Sequence, residues 1–166
     1  MSDYKDPIFQ EIVGLIDADN TTINKYYYGD PLIIARSDLP ALIISKNRTV
    51  NRDENMAEDE HKIECVITIV TDIRDDFGAG SGIVAGWSTL YDIVEGRNSS
   101  NYELKNSAVL DILKRSANLS HNAQIDVDTP ITADYGLAVG KRGERAISVE
   151  ANIFFTVFFD QLRDTT

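Results

Sequence analysis

The chain is poor in the residue types from which small metal and redox sites are built. It has one cysteine, Cys65, and two histidines, His61 and His121. A lone cysteine excludes an internal disulfide and a cysteine-based zinc site. Neither histidine has a second ligand at metal-binding spacing, so both are expected at the surface or at strand ends. Cations are also scarce: Lys and Arg number 16 against 27 Asp and Glu, a formal charge of −11 at pH 7. Such a surface repels phosphate and argues against broad DNA or RNA binding. No apolar run approaches the ~18–20 residues of a membrane span. The opening MSDYKD lacks the basic and apolar regions of a signal peptide, so the expected setting is cytosolic with no membrane partner. The N-x-[ST] matches at Asn20, Asn47, Asn98 and Asn118 are then chance.

What is present suits one domain over residues 1–166, with a core at about 5–160 and a flexible C-terminus at 161–166. The 43% hydrophobic fraction is enough for a self-sufficient core. Asp6 and Pro7 form a helix start, and Ile8, Ile12, Val13 and Ile16 make its apolar stripe. Residues 26–31 are expected as a structured loop. Leu32–Ala35 and Ala41–Ser45 then suit a buried strand pair, with Pro40 placing one member at a sheet edge. Residues 47–60 are polar without periodicity and predict a long exposed loop.

The run HKIECVITIVTD alternates, with Ile63, Cys65, Ile67 and Ile69 on one face of a strand. A glycine turn at 78–82 is expected to open a second helix carrying Ile83, Trp87, Leu90, Tyr91 and Val94, with Gly96 as its stop. Ser100-Asn101-Tyr102-Glu103 matches a capping box for a third helix with Leu104, Ala108, Val109, Ile112 and Leu113. Ala123, Ile125 and Val127 alternate, as do the odd residues from Ile147 to Phe159. The turn Gly140-Lys141-Arg142-Gly143 is expected to join these two strands as a hairpin. The pattern predicts an α+β fold: a mostly antiparallel or mixed sheet with helices packed on one face.

Candidate chemistry is thin. Gly80-Ser81-Gly82-Ile83-Val84-Ala85 fits a loose dinucleotide-binding pattern, but the strand that should follow its helix is missing and acidic residues precede it. Asp17, Asp19 and Thr21 start like a calcium loop, yet Thr22 and Tyr28 stand where glycine and glutamate are needed. Asp75-Asp76 and Glu58-Asp59-Glu60 lie in charge runs, which are usually solvated. No serine sits in G-x-S-x-G, and Cys65, on an apolar strand face, reads as an inert core residue. No catalytic residue, cofactor or metal is predicted. A small nucleotide- or metal-binding enzyme using the 78–82 turn stays open as the alternative.

Surface charge points instead to assembly. Arg48, Arg52, Asp53, Glu54, Glu58 and Asp59 in the acidic segment, and Lys141, Arg142 and Arg145 at the basic turn, are candidate contact residues. Opposite charges on separate protrusions suit a head-to-tail contact, which makes a ring if it closes. Independent solubility features would look the same. Phe154 and Phe158 lie opposite the apolar face of the last strand, where a monomer would rather show polar groups.

The order of these features resembles the tail terminator (tail completion) proteins of long-tailed bacteriophages. It runs from an amphipathic first helix through the Pro40–Ile44 strand, the acidic segment, HKIECVITIVTD, a Trp-bearing helix and a further helix to ITADYG…GKRGERAISVEANIFFTVFF. The resemblance implies a virion structural protein at the tail–neck junction, assembled in the host cytoplasm, without catalysis or cofactor. It implies a six-membered ring that caps the tail tube, stops its polymerisation and offers a surface to the neck. Implied partners are other copies, the tube protein, a neck or connector protein and, in contractile tails, the sheath. DNA would cross the lumen without specific binding, which an acidic wall favours. A head–tail stopper or connector component is the neighbouring alternative.

Overall fold

The computed structural model describes residues 3–53, 58–73, 84–143 and 146–162. The first helix, α1 (Pro7–Asp19), starts as expected: the Asp6 carboxylate accepts from the Ile8 N–H at 2.9 Å and Pro7 occupies the first turn. Ile8, Phe9, Ile12, Val13 and Ile16 are its buried stripe. Among the described residues six strands follow: β1 (Lys25–Tyr28), β2 (Ala41–Asp53), β3 (Glu58–Asp72), β4 (Ala123–Ile125), β5 (Thr132–Val139) and β6 (Ile147–Leu162). Helices α2 (Ala85–Glu95) and α3 (Val109–Arg115) lie between β3 and β4. The sheet order is β1-β2-β3-β6-β4, with β5 also on β6; only β1 and β2 run parallel. The fold is therefore α+β with a mixed sheet.

All three helices pack on one face. Their apolar residues share one core with Leu42 and Ile44 of β2, Ile63 to Ile69 of β3 and Val149 to Val157 of β6. A smaller core lies on the second face, where Ile34 and Leu39 of the β1–β2 connection cover Ala41, Ile43 and Val70 at one end of the sheet.

Several sequence expectations are corrected. Residues 47–60 are not a loop. β2 runs to Asp53 and β3 begins at Glu58, in register from Arg48↔Glu64 to Asp53↔Asp59 after a bulge between Lys46 and Arg48; residues 54–57 lie outside those described. β3 also pairs with β6 along its whole length, so the backbone ladder of this arm needs no apolar period. Residues 32–35 are not a strand; the tyrosines of β1 pair with β2 instead, Tyr26 and Tyr28 facing the main core and Tyr27 the smaller one. β2 has partners on both sides, and Pro40 precedes it rather than marking an edge.

The third helix begins at Val109, not beside Ser100. Residues 97–104 close a tight loop in which Leu104 bridges Arg97 and the Asn101 side chain takes the Glu103 N–H at 3.1 Å. The 140–143 turn joins β6 to β5, which Asp134 and Gly136 conceal as a strand. β4 stops at Ile125, leaving Val127 exposed. β6 continues to Leu162, two residues into the expected tail. The 78–82 turn, Ile83 and Asp75-Asp76 lie outside the described residues.

Candidate interaction surface

Away from its covered end, no helix of the described residues lies on the second face of the sheet. Its side chains are Val66 and Thr68 of β3 and Asn152, Phe154, Thr156 and Phe158 of β6. The Thr68 hydroxyl donates to Asn152 Oδ1 at 2.7 Å. Phe154, opposite Val66 on one side and Thr132 on the other, is 37% exposed, and Phe158 is half-buried. The strand alternation placed both phenylalanines here, and here they lie. Beside Phe154 is a hollow of about 160 Å³ lined by Asn47 at the β2 bulge, Glu64, Cys65, Phe155, Thr156 and the Thr129-Pro130 connection.

The covered end is held by charge. The Arg142 side chain is only 2% exposed. Its Nε donates to Glu150 Oε1 at 2.8 Å, its Nη2 to Oε2 at 3.3 Å, and its Nη1 to Asp30. Lys141 Nζ adds a 3.1 Å bond to Glu150. Burial works to lower the pKa of Arg142, but the carboxylates of Glu150 and Asp30 outweigh it and hold that pKa above its ordinary value. At Asp30 the desolvation of partial burial is outweighed by the Leu32 N–H and the guanidinium, so its carboxyl sits below the ordinary range.

This network fixes the chain that follows β1. The Asp30 carboxylate accepts from the Leu32 N–H at 2.9 Å, and the Ile34 N–H reaches the Arg142 carbonyl at 3.4 Å. Leu32 itself adopts φ +63°, in the left-handed region that a branched side chain rarely enters. The outcome is a knuckle with Leu32 70% and Ile33 71% exposed. Nothing in the pattern Pro-Leu-Ile-Ile signals it, since an apolar run reads equally as a buried strand.

The candidate contact residues divide accordingly. Arg48 is exposed on the second face and paired with Glu64 at 2.8 Å. Arg52, Asp53, Glu58 and Asp59 fall at the far ends of β2 and β3, Arg52 in register with Glu60; Glu54 and Arg145 lie outside the described residues. Arg142 is not a surface countercharge, because Glu150 and Asp30 claim it inside the fold; Lys141 is half-exposed. The arm tip and the 140–143 turn lie at opposite ends of β3 and β6, on the order of 45 Å apart by strand rise.

The two histidines meet at one hollow of about 420 Å³ with Asp6, Lys46 and Phe159. His61 stacks on Phe159, and its Nδ1 lies 2.5 Å from Asn51 Oδ1. Among the described residues no three His, Cys, Asp or Glu side chains are grouped to hold a metal. Burial foremost, with Asp6 adding, pushes the Cys65 thiol up to about 12. No family model matches the chain, and no curated protein is found similar to it.

Proposed function

We propose that this α+β chain is a ring-forming structural subunit of the tail-terminator kind. Six copies would close head to tail on the last ring of a tail tube, halt its growth and present their other rim to the neck. The observation that carries this reading is the sheet face that no described helix covers. It shows Phe154 to solvent beside Val66, on a strand whose alternate side chains from Val149 to Val157 are buried. A solvated sheet face ordinarily turns to polar side chains, so phenylalanines on it suit a surface that meets a partner. The element order adds the resemblance described above, and the net charge of −11 suits a lumen through which DNA slides.

The mechanism is binding and blocking. One ring face matches the tube's terminal subunits and the opposite face lacks the tube's polymerisation surface, so the next tube subunit finds no complementary patch. The test is incubation with purified tail tubes followed by electron microscopy. Annular caps at one tube end and arrested elongation are expected. Binding to an isolated head connector without tube capping would move the assignment to a stopper or connector. A thermal shift with nucleotide or Mg²⁺, in place of either, would move it to the enzyme alternative.

A further inference from the structure

The sheet ends at two unprotected edges. Among the described residues, β5 pairs only with β6 and β1 only with β2. The Gly140 N–H donates to the Ala146 carbonyl at 2.8 Å, so even residues of β5 turn their backbone groups to β6. Ala133, Tyr135 and Leu137 therefore turn theirs outward. The Gly29 N–H donates to the Ile44 carbonyl at 2.9 Å, so on β1 the outward residues are Tyr26 and Tyr28. No hydrogen bond meets these outward groups among the described residues. Sheets usually blunt such an edge with proline, lysine or a bulge. Thr132–Val139 has none of these, and its Leu137 and Val139 are 59% and 70% exposed. An open row of N–H and C=O groups is complementary to another extended strand.

Polarity, height and charge match this edge to β1. β1 runs with β2, and direction then alternates through β3 and β6 to β5, so the two edges of neighbouring copies meet antiparallel. Lys25 is level with Ala41, Val70, Glu150 and Gly136 across the sheet, and Tyr28 is level with Ile44, Ile67, Ile153 and Ala133. Two copies set side by side without a shift thus bring Tyr26 opposite Tyr135 and Tyr28 opposite Ala133, outward residue against outward residue. In that register Lys25 and Asp134 share the second face as diagonal neighbours, within reach of a lysine side chain. Both are exposed, and neither has an ion pair among the described residues.

We infer that β1 of one copy adds to the β5 edge of a second copy as an antiparallel strand, making one sheet that passes from subunit to subunit. This rests on the ring reading above and names its subunit contact. The two facing pairs exchange roughly four backbone hydrogen bonds, and Lys25 meets Asp134 across the seam. Because the two edges are different patches, the contact is head to tail and propagates. The open faces of successive copies run together, with Phe154 separated from the seam by Thr132 alone.

Paired thiols on the full chain test it. Lys25 and Gly136 face each other as a non-hydrogen-bonded pair, whose Cα separation of about 4.5 Å suits a disulfide. A Cβ on Gly136 meets nothing within 4 Å, and the buried Cys65 does not compete. Oxidation of the Lys25→Cys, Gly136→Cys double variant is expected to give a ladder of covalent oligomers, and each single variant a monomer band. Ala133→Pro removes an outward N–H and no bond to β6, and in sedimentation it is expected to weaken self-association at least about tenfold. Asp134→Lys is expected to weaken it about threefold, and adding Lys25→Asp to restore it. Gly136→Cys alone, cross-linking as efficiently as the double variant, would show β5 meeting β5 and overturn the contact. Oligomers that survive Ala133→Pro and give no ladder would overturn it too and leave the ring reading in place. Wild type that stays monomeric at about 1 mM and gives no ladder also overturns it: the ring reading stands if the protein still caps tail tubes, and both fall if it does not. A ladder from a protein that caps no tube would keep the contact and remove the tail-tube role.

Discussion

The two faces of this sheet are made by the same strands and are stabilised in different ways. On the helix face, Ile67, Ile69, Ala151, Ile153 and Val157 are wholly enclosed, and stability comes from apolar area removed from water. On the other face the sheet's neighbours along β6 are Glu150, Asn152, Phe154 and Thr156, and only the end under the 30–40 connection has a core. That end is fastened by a buried guanidinium gripped by two carboxylates. The difference teaches where freedom for function lies. A face closed by packing tolerates little, whereas a face closed at one end by charge leaves the remainder free to meet a partner.

The sharpest break of this comparison is Arg142→Ala. Removing the guanidinium leaves Glu150 buried with only Lys141 beside it, and the expected loss is about 4 kcal/mol in urea unfolding. Replacing the pair together, Arg142→Met with Glu150→Leu, should recover most of that loss, since two well-packed apolar groups leave no buried charge uncompensated. A loss below about 1 kcal/mol in the single variant would mean that the ion network does not fasten this end. On the opposite face, Ile153→Ala removes a fully enclosed side chain and should cost about 3 kcal/mol, with no pH dependence. These two variants should differ most clearly in that pH dependence.

The acid limb is the next, smaller test. The Asp30 carboxyl is held below its ordinary pKa, so its contribution is fully present above the unfolded value near 3.8 and is lost as pH falls through the lowered folded value. Asp30 is about half-exposed, so the stability difference between wild type and Asp30→Asn should be about 1 kcal/mol or less at pH 7. The two stability curves should converge as pH drops below about 3. Curves that stay parallel across that window would show that Asp30 does not grip Arg142.

The same contrast explains what could be read from residue order. The first helix was legible because Asp6, Pro7 and the isoleucine spacing all act within the helix itself. β3 and the closing strand were legible because one covered face imposes strict alternation on Ile63 to Ile69 and on Val149 to Val157. The arm at 47–53 and 58–62 was not, since no described helix covers it and its residues from Asn47 to Asn51 are exposed, so nothing forces a period of two on them. Arg142 was misplaced for a different reason. Its burial depends on Glu150, 8 residues away, and on Asp30, 112 residues away, and in a glycine-flanked basic turn neither partner is visible. The Leu32–Ile33 knuckle followed Arg142 into error, because the apolar pair is exposed only by virtue of that same network.

The smallest expected effect is the one that separates folding from function. Phe154 sits on the strand position between Phe155, which is buried, and Ile153, which is fully enclosed, yet it is itself 37% exposed. Phe154→Thr places a β-branched residue suited to the strand and removes a ring already partly in water. Its cost to the isolated chain should stay near 0.5 kcal/mol, well under that of Ile153→Ala one residue earlier. If the open face is where copies meet, the same change should abolish ring formation and tube capping while thermal unfolding scarcely moves. A variant that unfolds as easily as Ile153→Ala would show that the second face is held by packing after all, and the contrast between the two faces would vanish. A variant that keeps both its stability and its capping would leave the contrast intact and move the contact elsewhere on the chain.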